Sequence, residues 1–185
     1  MSQQNMWEFE DKYYAEGFKL VCGVDEAGRG PLAGPVCAAA VILPPHFEIP
    51  KLNDSKKLTD KQRRELMPLI LENAIAYGIA FSNEKEIDDI NILQATFLAM
   101  ERAVSQLTVR PEILLIDGNR EKDFGLPVMT VVKGDSRSAN IAAASVLAKV
   151  TRDMYMEELA EKYPQYGFDI HKFSGTKAHY AALTE

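Results

Sequence analysis

Several features that would define a functional class are missing from this sequence of 185 residues. No apolar run approaches the ~18 residues that a membrane span requires. The N-terminus lacks the basic-then-apolar order of a signal peptide. The two cysteines, Cys22 and Cys37, lie in apolar runs and are expected to be buried and reduced, which excludes a disulfide framework. We therefore expect a cytoplasmic protein without a membrane segment.

Two common kinds of ligand site are also missing. The three histidines, at positions 46, 171 and 179, do not have zinc-binding spacing, either among themselves or with the cysteines. The stretch "GRGPLAG" is not a P-loop, because no Gly-Lys-Ser/Thr follows it and a strand, not a helix, is predicted after it. The net charge of −6 argues against a polyanion partner. Total charge does not fix the local potential, however, and a metal site also needs carboxylates.

The hydrophobic pattern predicts one α/β domain of mixed strand order, in which helices cover the sheet. Residues 1–18 are predicted as an N-terminal helical extension that docks through aromatic side chains, and residues 19–185 as one domain. A glycine- and proline-containing turn joins the first two strands and favours an antiparallel pair. The predicted strands are 19–25, 34–43, 74–82, 112–117 and 129–135. The first predicted helix, 58–74, is capped by Thr59 and interrupted by Pro68. The second, 88–107, carries an apolar stripe at Ile92, Thr96, Ala99 and Ala103. The third, 138–163, is capped by Ser138, and a loop and a last helix are predicted from residue 171 onward.

Acidic residues follow the apolar runs of three predicted strands. A carboxylate that ends a buried strand is poorly solvated, and it is costly unless it is paired or bound to a metal. Converging carboxylates repel one another, and a hard divalent cation such as Mg²⁺ or Mn²⁺ removes that repulsion. Each acid alone is also compatible with a strand-end cap or a turn residue. The four candidate metal ligands are Asp25, Glu26, Asp117 and Asp135.

Of the four acids, the adjacent pair Asp25 and Glu26 is the least well explained as strand-end caps or turn residues. Side chains alternate along a strand, so both acids can face one site only where the strand is ending and twisting. The turn that follows contains Gly28 and Gly30, where the backbone can approach a ligand closely, and Arg29 between them offers a donor fork that suits phosphate. A plain tight turn with an exposed arginine is the alternative.

The motifs "GVDEAGRGPLAGPVCAAAVIL", "NDSKKLT", "LLIDGN" and "VVKGDSRSANIAAASVLAKVTRD" resemble the successive motifs of the ribonuclease HII family. The resemblance runs from about residue 22 to residue 179, which is most of the chain. It implies a ribonuclease H-like fold, with a mixed central sheet flanked by helices and a C-terminal helical segment. It also implies an endoribonuclease that cleaves the RNA strand of RNA–DNA hybrids and nicks duplex DNA at embedded ribonucleotides.

The resemblance also implies roles for individual residues. The four acids match the family's metal ligands and would hold two divalent cations, Mg²⁺ or Mn²⁺. Hydrolysis on the 5′ side of a ribonucleotide would leave 3′-hydroxyl and 5′-phosphate ends. The expected partners are RNA–DNA hybrids and DNA duplexes containing ribonucleotides, and the enzyme is expected to be a monomer. The expected substrate contacts are Gly28, Arg29 and Gly30, which read the 2′-hydroxyl and the adjacent phosphate, together with Lys56, Lys133 and Ser174.

Two departures from the family pattern bear on function. In "HKFSGT", Phe173 and Ser174 stand where Gly-Tyr is usual, and that tyrosine stacks on a deoxyribose sugar next to the ribonucleotide. The chain also stops at Glu185, before the family's usual His-Arg-x-Ser-Phe segment, so the catalytic domain is expected to be shortened at its C-terminus. Two alternatives therefore stay open: a transposase- or resolvase-like nuclease, and a hybrid-binding protein with reduced or altered cleavage.

Overall fold

The structure, a computed structural model, describes residues 5–28 and 34–162, except for the side chains of residues 53–55. Within these ranges four α-helices cover a five-stranded sheet. The strands are β1 (Val21–Ala27), β2 (Val36–Ile42), β3 (Ala76–Ser82), β4 (Ile113–Asp117) and β5 (Val128–Val131). The helices are α1 (Glu8–Ala15), α2 (Asp60–Asn73), α3 (Glu84–Ser105) and α4 (Ala139–Lys162), and two short 3₁₀ helices span Leu52–Lys57 and Gly134–Ser136.

The sheet has the order β3-β2-β1-β4-β5. The first three strands along the chain pair antiparallel, β1 with β2 and β2 with β3. The last two run parallel to β1, since β4 pairs with β1 and β5 with β4. The predicted mixed sheet and the predicted antiparallel pairing of the first two strands are both confirmed.

Strand β1 separates two apolar layers, and its alternation decides which layer each side chain joins. Val21 packs with Ile141 of α4 on one face. Cys22 and Val24 pack with Phe97 of α3 on the other. Odd-numbered residues of β1 therefore face α4, and even-numbered residues face α3.

Helix α4 lies directly on β1. Its first turn is capped by Ser138, whose hydroxyl oxygen accepts a hydrogen bond from the Ile141 amide at 3.2 Å, as predicted. A side chain at Gly23 of β1 would not fit beneath it, because a Cβ there would lie 2.2 Å from the carbonyl carbon of Asn140. The close approach brings the start of α4 next to the strand that carries Asp25.

Helix α2 begins as predicted but is not interrupted. The Thr59 hydroxyl accepts a hydrogen bond from the Gln62 amide at 3.1 Å, and the Gln62 side chain accepts one from the Thr59 amide at 2.9 Å. One continuous helix then runs through Pro68. The prediction of an interruption was wrong, because burial of Leu66 and Ile70 on either side offsets the hydrogen bond that proline cannot donate.

Helix α3 starts earlier than predicted and bends near its beginning. Asn83 caps its first turn, and Asn91 has non-helical backbone angles, φ 71° and ψ 168°. The Asn91 side chain accepts a hydrogen bond from the Gln94 amide at 3.0 Å, so it acts as a second cap for the longer part of the helix. The predicted apolar stripe is buried at Thr96, Ala99 and Ala103, while Ile92 is partly buried.

Strand β5 ends earlier than predicted. The prediction carried the strand through residue 135, but β5 ends at Val131. Lys133 adopts a left-handed backbone with φ 55°, which no strand can accommodate. The amide of Gly134 then donates to the Asp117 carboxylate, so it is not used in the sheet. Asp135 therefore lies on the short 3₁₀ helix beyond the strand.

The N-terminal helix is present but shorter than the predicted range of 1–18, and it docks through aromatic side chains as predicted. Trp7 is buried, and Phe9 and Tyr13 pack against the cluster that contains Val21. Both cysteines are buried free thiols, as predicted. No helix in the described ranges combines the length and the apolar character needed to cross a membrane. The predicted loop and helix after residue 171 lie outside those ranges.

Candidate active site

Three of the four predicted acids meet at one edge of the sheet. One carboxylate oxygen each from Asp25, Asp117 and Asp135 lies within 4.8 Å of the other two. Asp25 is in β1, Asp117 ends β4, and Asp135 lies on the 3₁₀ helix that follows β5. Three neighbouring secondary-structure elements therefore each supply one acid to the cluster.

The parallel pairing of β1 and β4 explains the first two positions. Val24 pairs with Ile116, so Asp25 and Asp117 each come one residue later on neighbouring strands. Both are odd-numbered positions on the face that α4 covers, which the packing of Val21 and Leu115 in one cluster also shows. The two carboxylates must then emerge side by side.

The third position depends on the turn after β5. The Gly134 amide donates a hydrogen bond to Asp117 Oδ1 at 2.7 Å, which ties the 3₁₀ helix to the end of β4. Within the turn the carbonyl of Gly134 accepts from the Ser138 amide at 2.8 Å. These bonds fix Asp135 between the end of the sheet and the start of α4.

The cluster is poorly solvated and electrostatically strained without a cation. Asp25 is 5% exposed, and its Oδ1 accepts a hydrogen bond from the Glu26 amide at 2.8 Å. Burial, followed by the charges of Glu26 and Asp117, raises the pKa of Asp25 well above its usual range. Burial also raises the pKa of Asp117, with a further contribution from Asp135. This is the strain that a bound cation relieves.

Glu26 lies beside this group, close enough for its charge to raise the pKa of Asp25. Strand β1 continues to Ala27, so the alternation is not broken and the even-numbered Glu26 lies toward α3. There it lines a small cavity with Phe97, Met100 and Asp117. The acidic pair thus lies within the last three residues of β1, with Glu26 on the side of α3 and Asp25 on the side of α4.

Lys56 lies beside the cluster. Its Nζ is 3.6 Å from Asp135 Oδ1, and its side chain is 56% exposed. Its charge also acts on Asp117, where it partly offsets the rise in the pKa. Lys133 is exposed two residues before Asp135, and its carbonyl accepts hydrogen bonds from the amide and the hydroxyl of Ser136.

Other sequence candidates are placed elsewhere or are not described. Gly28 is the last described residue before the turn, while Arg29, Gly30 and Ser174 lie outside the described ranges. His46 stacks on Trp7 at 5.0 Å between ring centroids, and its Nε2 lies 2.6 Å from Asp11 Oδ1. Arg137, two residues after Asp135, has its guanidinium over the Phe9 ring at 4.7 Å and donates to the Val132 carbonyl at 3.1 Å.

Two buried charged side chains were missed by sequence reasoning. Glu10 of α1 is fully buried and accepts hydrogen bonds from Ser138 and Asn140 at the start of α4. Arg152 of α4 is 2% exposed. A signal for Arg152 was present, because it stands on the same helical stripe as the buried Ala148 and Met156.

The chemistry of the cluster suits a divalent cation. Converging carboxylate oxygens with little access to water match the ligand preference of Mg²⁺ and Mn²⁺. Burial and, after it, mutual repulsion raise the pKa values of Asp25 and Asp117. A bound cation relieves both effects, which a neutral ligand would not do. The residues present therefore fit the metal that the sequence predicts.

Comparisons with known proteins agree with the fold and with the motifs. A family model described as ribonuclease HII matches residues 22–185. Ribonuclease HII of Endomicrobium trichonymphae is 55% identical over 181 residues, covering 97% of this chain and 86% of the relative. The crystal structure of ribonuclease H2 from Pyrococcus horikoshii OT3 superimposes with a TM-score of 0.66 at 29% identity, covering 80% of this chain and 78% of that chain.

A more distant structure shares the fold. Bst-RNase HIII, in a crystal structure in complex with Mn²⁺, superimposes with a TM-score of 0.66 at 21% identity, covering 78% of this chain and 55% of that chain. The fold is thus that of the ribonuclease H-like α/β proteins, as the sequence predicts. The chain belongs to the ribonuclease HII family and is by that membership a ribonuclease.

Proposed function

We propose that this protein is a divalent-metal endoribonuclease. It cleaves the RNA strand of RNA–DNA hybrids and nicks duplex DNA on the 5′ side of embedded ribonucleotides, leaving 3′-hydroxyl and 5′-phosphate ends. The observation that carries the proposal is the convergence of Asp25, Asp117 and Asp135 within 4.8 Å at one edge of the sheet, in a chain of the ribonuclease HII family.

The three clustered carboxylates are the proposed ligands of two divalent cations, Mg²⁺ or Mn²⁺. When bound, such ions polarise the phosphate and lower the pKa of an attacking water. Asp135, on the 3₁₀ helix that follows β5, is proposed to help orient that water. Glu26 is proposed as a further ligand, because its charge is close enough to raise the pKa of Asp25.

Substrate binding is proposed to involve the turn after β1 and the lysines beside the cluster. Gly28, Arg29 and Gly30 are the proposed readers of the 2′-hydroxyl and the adjacent phosphate. Lys56 and Lys133 are the proposed phosphate contacts, supported by the position of Lys56 next to Asp135. Ser174 replaces a stacking tyrosine, so a weaker preference for the ribo-to-deoxyribo junction is part of the proposal.

A cleavage assay on three substrates tests the proposal. A duplex with one ribonucleotide, a continuous RNA–DNA hybrid and an all-DNA duplex are incubated with Mg²⁺ or Mn²⁺, and end chemistry is read from the products. We expect cuts in the first two only, all of them absent in EDTA. Cutting of all-DNA duplex would favour the transposase-like alternative, and binding of hybrid without any cut would favour the binding-only alternative.

A further inference from the structure

Arg152 is a buried cation in α4 that the carboxylate cluster does not use. Its side chain is 2% exposed, and it faces the end of β1 and the start of β2. Burying a guanidinium is costly unless hydrogen bonds replace its water. The contacts of Arg152 therefore indicate the role of this buried guanidinium.

Its contacts with the backbone lie on both sides of the turn between β1 and β2, and the charges of Asp153 and Glu84 also act on it. Arg152 Nε donates a hydrogen bond to the Pro35 carbonyl at 2.8 Å. A Cβ at Gly28 would lie 2.1 Å from the same Nε, and a Cβ at Gly34 would lie 3.0 Å from Nη2. One guanidinium thus occupies the space that a side chain at either end of the turn would need.

The backbone at these two glycines adds a second constraint. Gly28 has φ +96° and Gly34 has φ +90°, in the region that L side chains rarely adopt. Both ends of the turn are therefore shaped to accept the arginine. Burial lowers the pKa of Arg152, yet an arginine stays charged at any physiological pH, so the contact does not depend on titration.

We propose that Arg152 is a positioning residue that fixes the two ends of this turn and thereby sets the discrimination between ribonucleotide and deoxyribonucleotide. The inference rests on the proposed function, in which the turn reads the 2′-hydroxyl. Arg152 contacts neither metal nor substrate in this scheme. It acts by holding Gly28 and the Gly34–Pro35 segment at a fixed separation.

The test compares Arg152→Met and Arg152→Lys with a matched control, Arg63→Met. Arg63 also donates to a backbone carbonyl, that of Leu58, but in α2 and away from the turn. For Arg152→Met we expect the KM on a single-ribonucleotide duplex to rise about tenfold or more, the loss expected when a displaced turn no longer makes one charge-assisted contact with the substrate. We expect kcat and Mn²⁺ affinity to change little, and the lysine variant to lie between methionine and wild type.

The selective effect separates positioning from general stability. The proposal would be overturned if, in Arg152→Met, a raised KM, a lowered kcat and a lowered Mn²⁺ affinity all followed a lowered melting temperature, as is expected for Arg63→Met. If Arg152→Met does not fold, Arg152→Lys decides, and a wild-type KM in that variant rejects the role.

A wild-type protein that cuts no substrate would contradict the proposed function instead. Binding discrimination between the single-ribonucleotide and all-DNA duplexes, read by fluorescence anisotropy, then decides the role of Arg152 alone.

Discussion

At the scale of single residues, Asp25 combines deep burial with close neighbours of the same charge. Burial, followed by the charges of Glu26 and Asp117, raises its pKa. A carboxyl group with a raised pKa in the folded state stabilises the fold below the ordinary carboxyl pKa of about 4. That contribution is lost as the pH rises through the raised pKa. The metal-free protein is therefore expected to lose stability as the pH rises above about 4.

The substitution Asp25→Asn tests this account. Without the buried charge, the metal-free variant should melt higher than wild type at pH 7, by about 2–4 °C for each ~1 kcal/mol recovered. Its stability should also depend less on pH. Mn²⁺ affinity should fall by about tenfold or more, because a ligand is lost, and cleavage should be abolished.

Calorimetry in EDTA and Mn²⁺ titration make these measurements. Asp89→Asn, at an exposed position on α3, is the control and should leave all three properties unchanged. Unaltered Mn²⁺ binding in Asp25→Asn, or hydrolysis at the wild-type rate, would contradict the metal assignment.

Lys56 has two opposing roles in the proposed site. Its Nζ lies 3.6 Å from Asp135, so it competes with a metal for that carboxylate, yet it also offers a charge to a phosphate. Exposed pairs are worth about 1 kcal/mol at most, or roughly fivefold in a binding constant. We predict that Lys56→Met binds Mn²⁺ about two- to fivefold more tightly and RNA–DNA hybrid more weakly.

The opposite signs of the two changes are the diagnostic feature. Lys57→Met removes the same charge one residue later in the same 3₁₀ helix and serves as the matched control. Calorimetry with Mn²⁺ and anisotropy with labelled hybrid measure the two affinities. Equal effects in the two variants would mean that only net charge matters and that Lys56 has no specific place in the site.

At the scale of secondary-structure elements, local patterns predicted more than long-range pairings did. The hairpin of β1 and β2 follows from the turn between them, and the stripe on α3 follows from helical spacing. The meeting of Asp25 and Asp117 could not be derived from pattern alone, because it requires β1 to pair in parallel with a strand some 90 residues later. Each strand end was visible in the sequence, but its neighbour was not.

The remaining differences have the same origin. Asp135 was assigned to a strand because its segment is apolar, but the left-handed Lys133 ends that strand before the acid is reached. Glu26 was grouped with Asp25 because they are adjacent; the strand places it toward α3, and its charge still acts on Asp25. Glu10 looks like a surface charge until the elements that bury it are known, and the helical stripe that marks Arg152 as buried does not show what it contacts.

Glu10 shows how one element supports another. The fully buried carboxylate of α1 accepts hydrogen bonds from the Ser138 hydroxyl at 2.7 Å, the Asn140 amide at 3.1 Å and the Asn140 side chain at 2.9 Å. The Ala139 amide also donates to the Met6 carbonyl at 2.7 Å. The N-terminal helix thus holds the first turn of α4, directly after the 3₁₀ helix that carries Asp135.

We predict that Glu10→Ala destabilises the protein by about 3 kcal/mol, because it leaves buried donors without an acceptor. Mn²⁺ affinity should fall severalfold in the folded variant, since the 3₁₀ helix loses its support. Glu10→Gln should be milder, because the amide oxygen can still accept and burial no longer opposes a charge. Urea unfolding and Mn²⁺ titration measure the two effects.

Glu8→Ala is the control for that pair, as it removes an exposed glutamate from the same helix. It should be nearly neutral in both measurements. If Glu10→Ala lost stability while Mn²⁺ affinity stayed at the wild-type value, the N-terminal helix would support the fold without supporting the site.

At the scale of the whole molecule, an acidic protein is proposed to bind a polyanion. The net charge is −6, and three of the acids are concentrated where a phosphate must approach. Repulsion from that cluster is removed only when divalent cations neutralise it. The affinity for nucleic acid should accordingly depend on contacts of specific shape, such as the turn and stacking side chains, more than on overall charge.

The last prediction concerns one such contact, at Ser174, which lies outside the described residues. Aromatic stacking on a base is worth ~1–3 kcal/mol, and stacking on a sugar should lie near the low end. Ser174→Tyr should therefore improve kcat/KM by about fivefold to tenfold on a duplex with a single ribonucleotide, where the ribo-to-deoxyribo junction must be sensed. A long RNA–DNA hybrid should gain less, because many 2′-hydroxyl and phosphate contacts are already present.

Both substrates are assayed side by side, with Ser174→Leu as a control for apolar bulk without a ring. A gain confined to the tyrosine variant and larger on the single-ribonucleotide duplex supports a missing stacking contact. Equal gains on both substrates, or none, would mean that Phe173 or another aromatic side chain already contacts the sugar. The serine would then have no effect on junction preference.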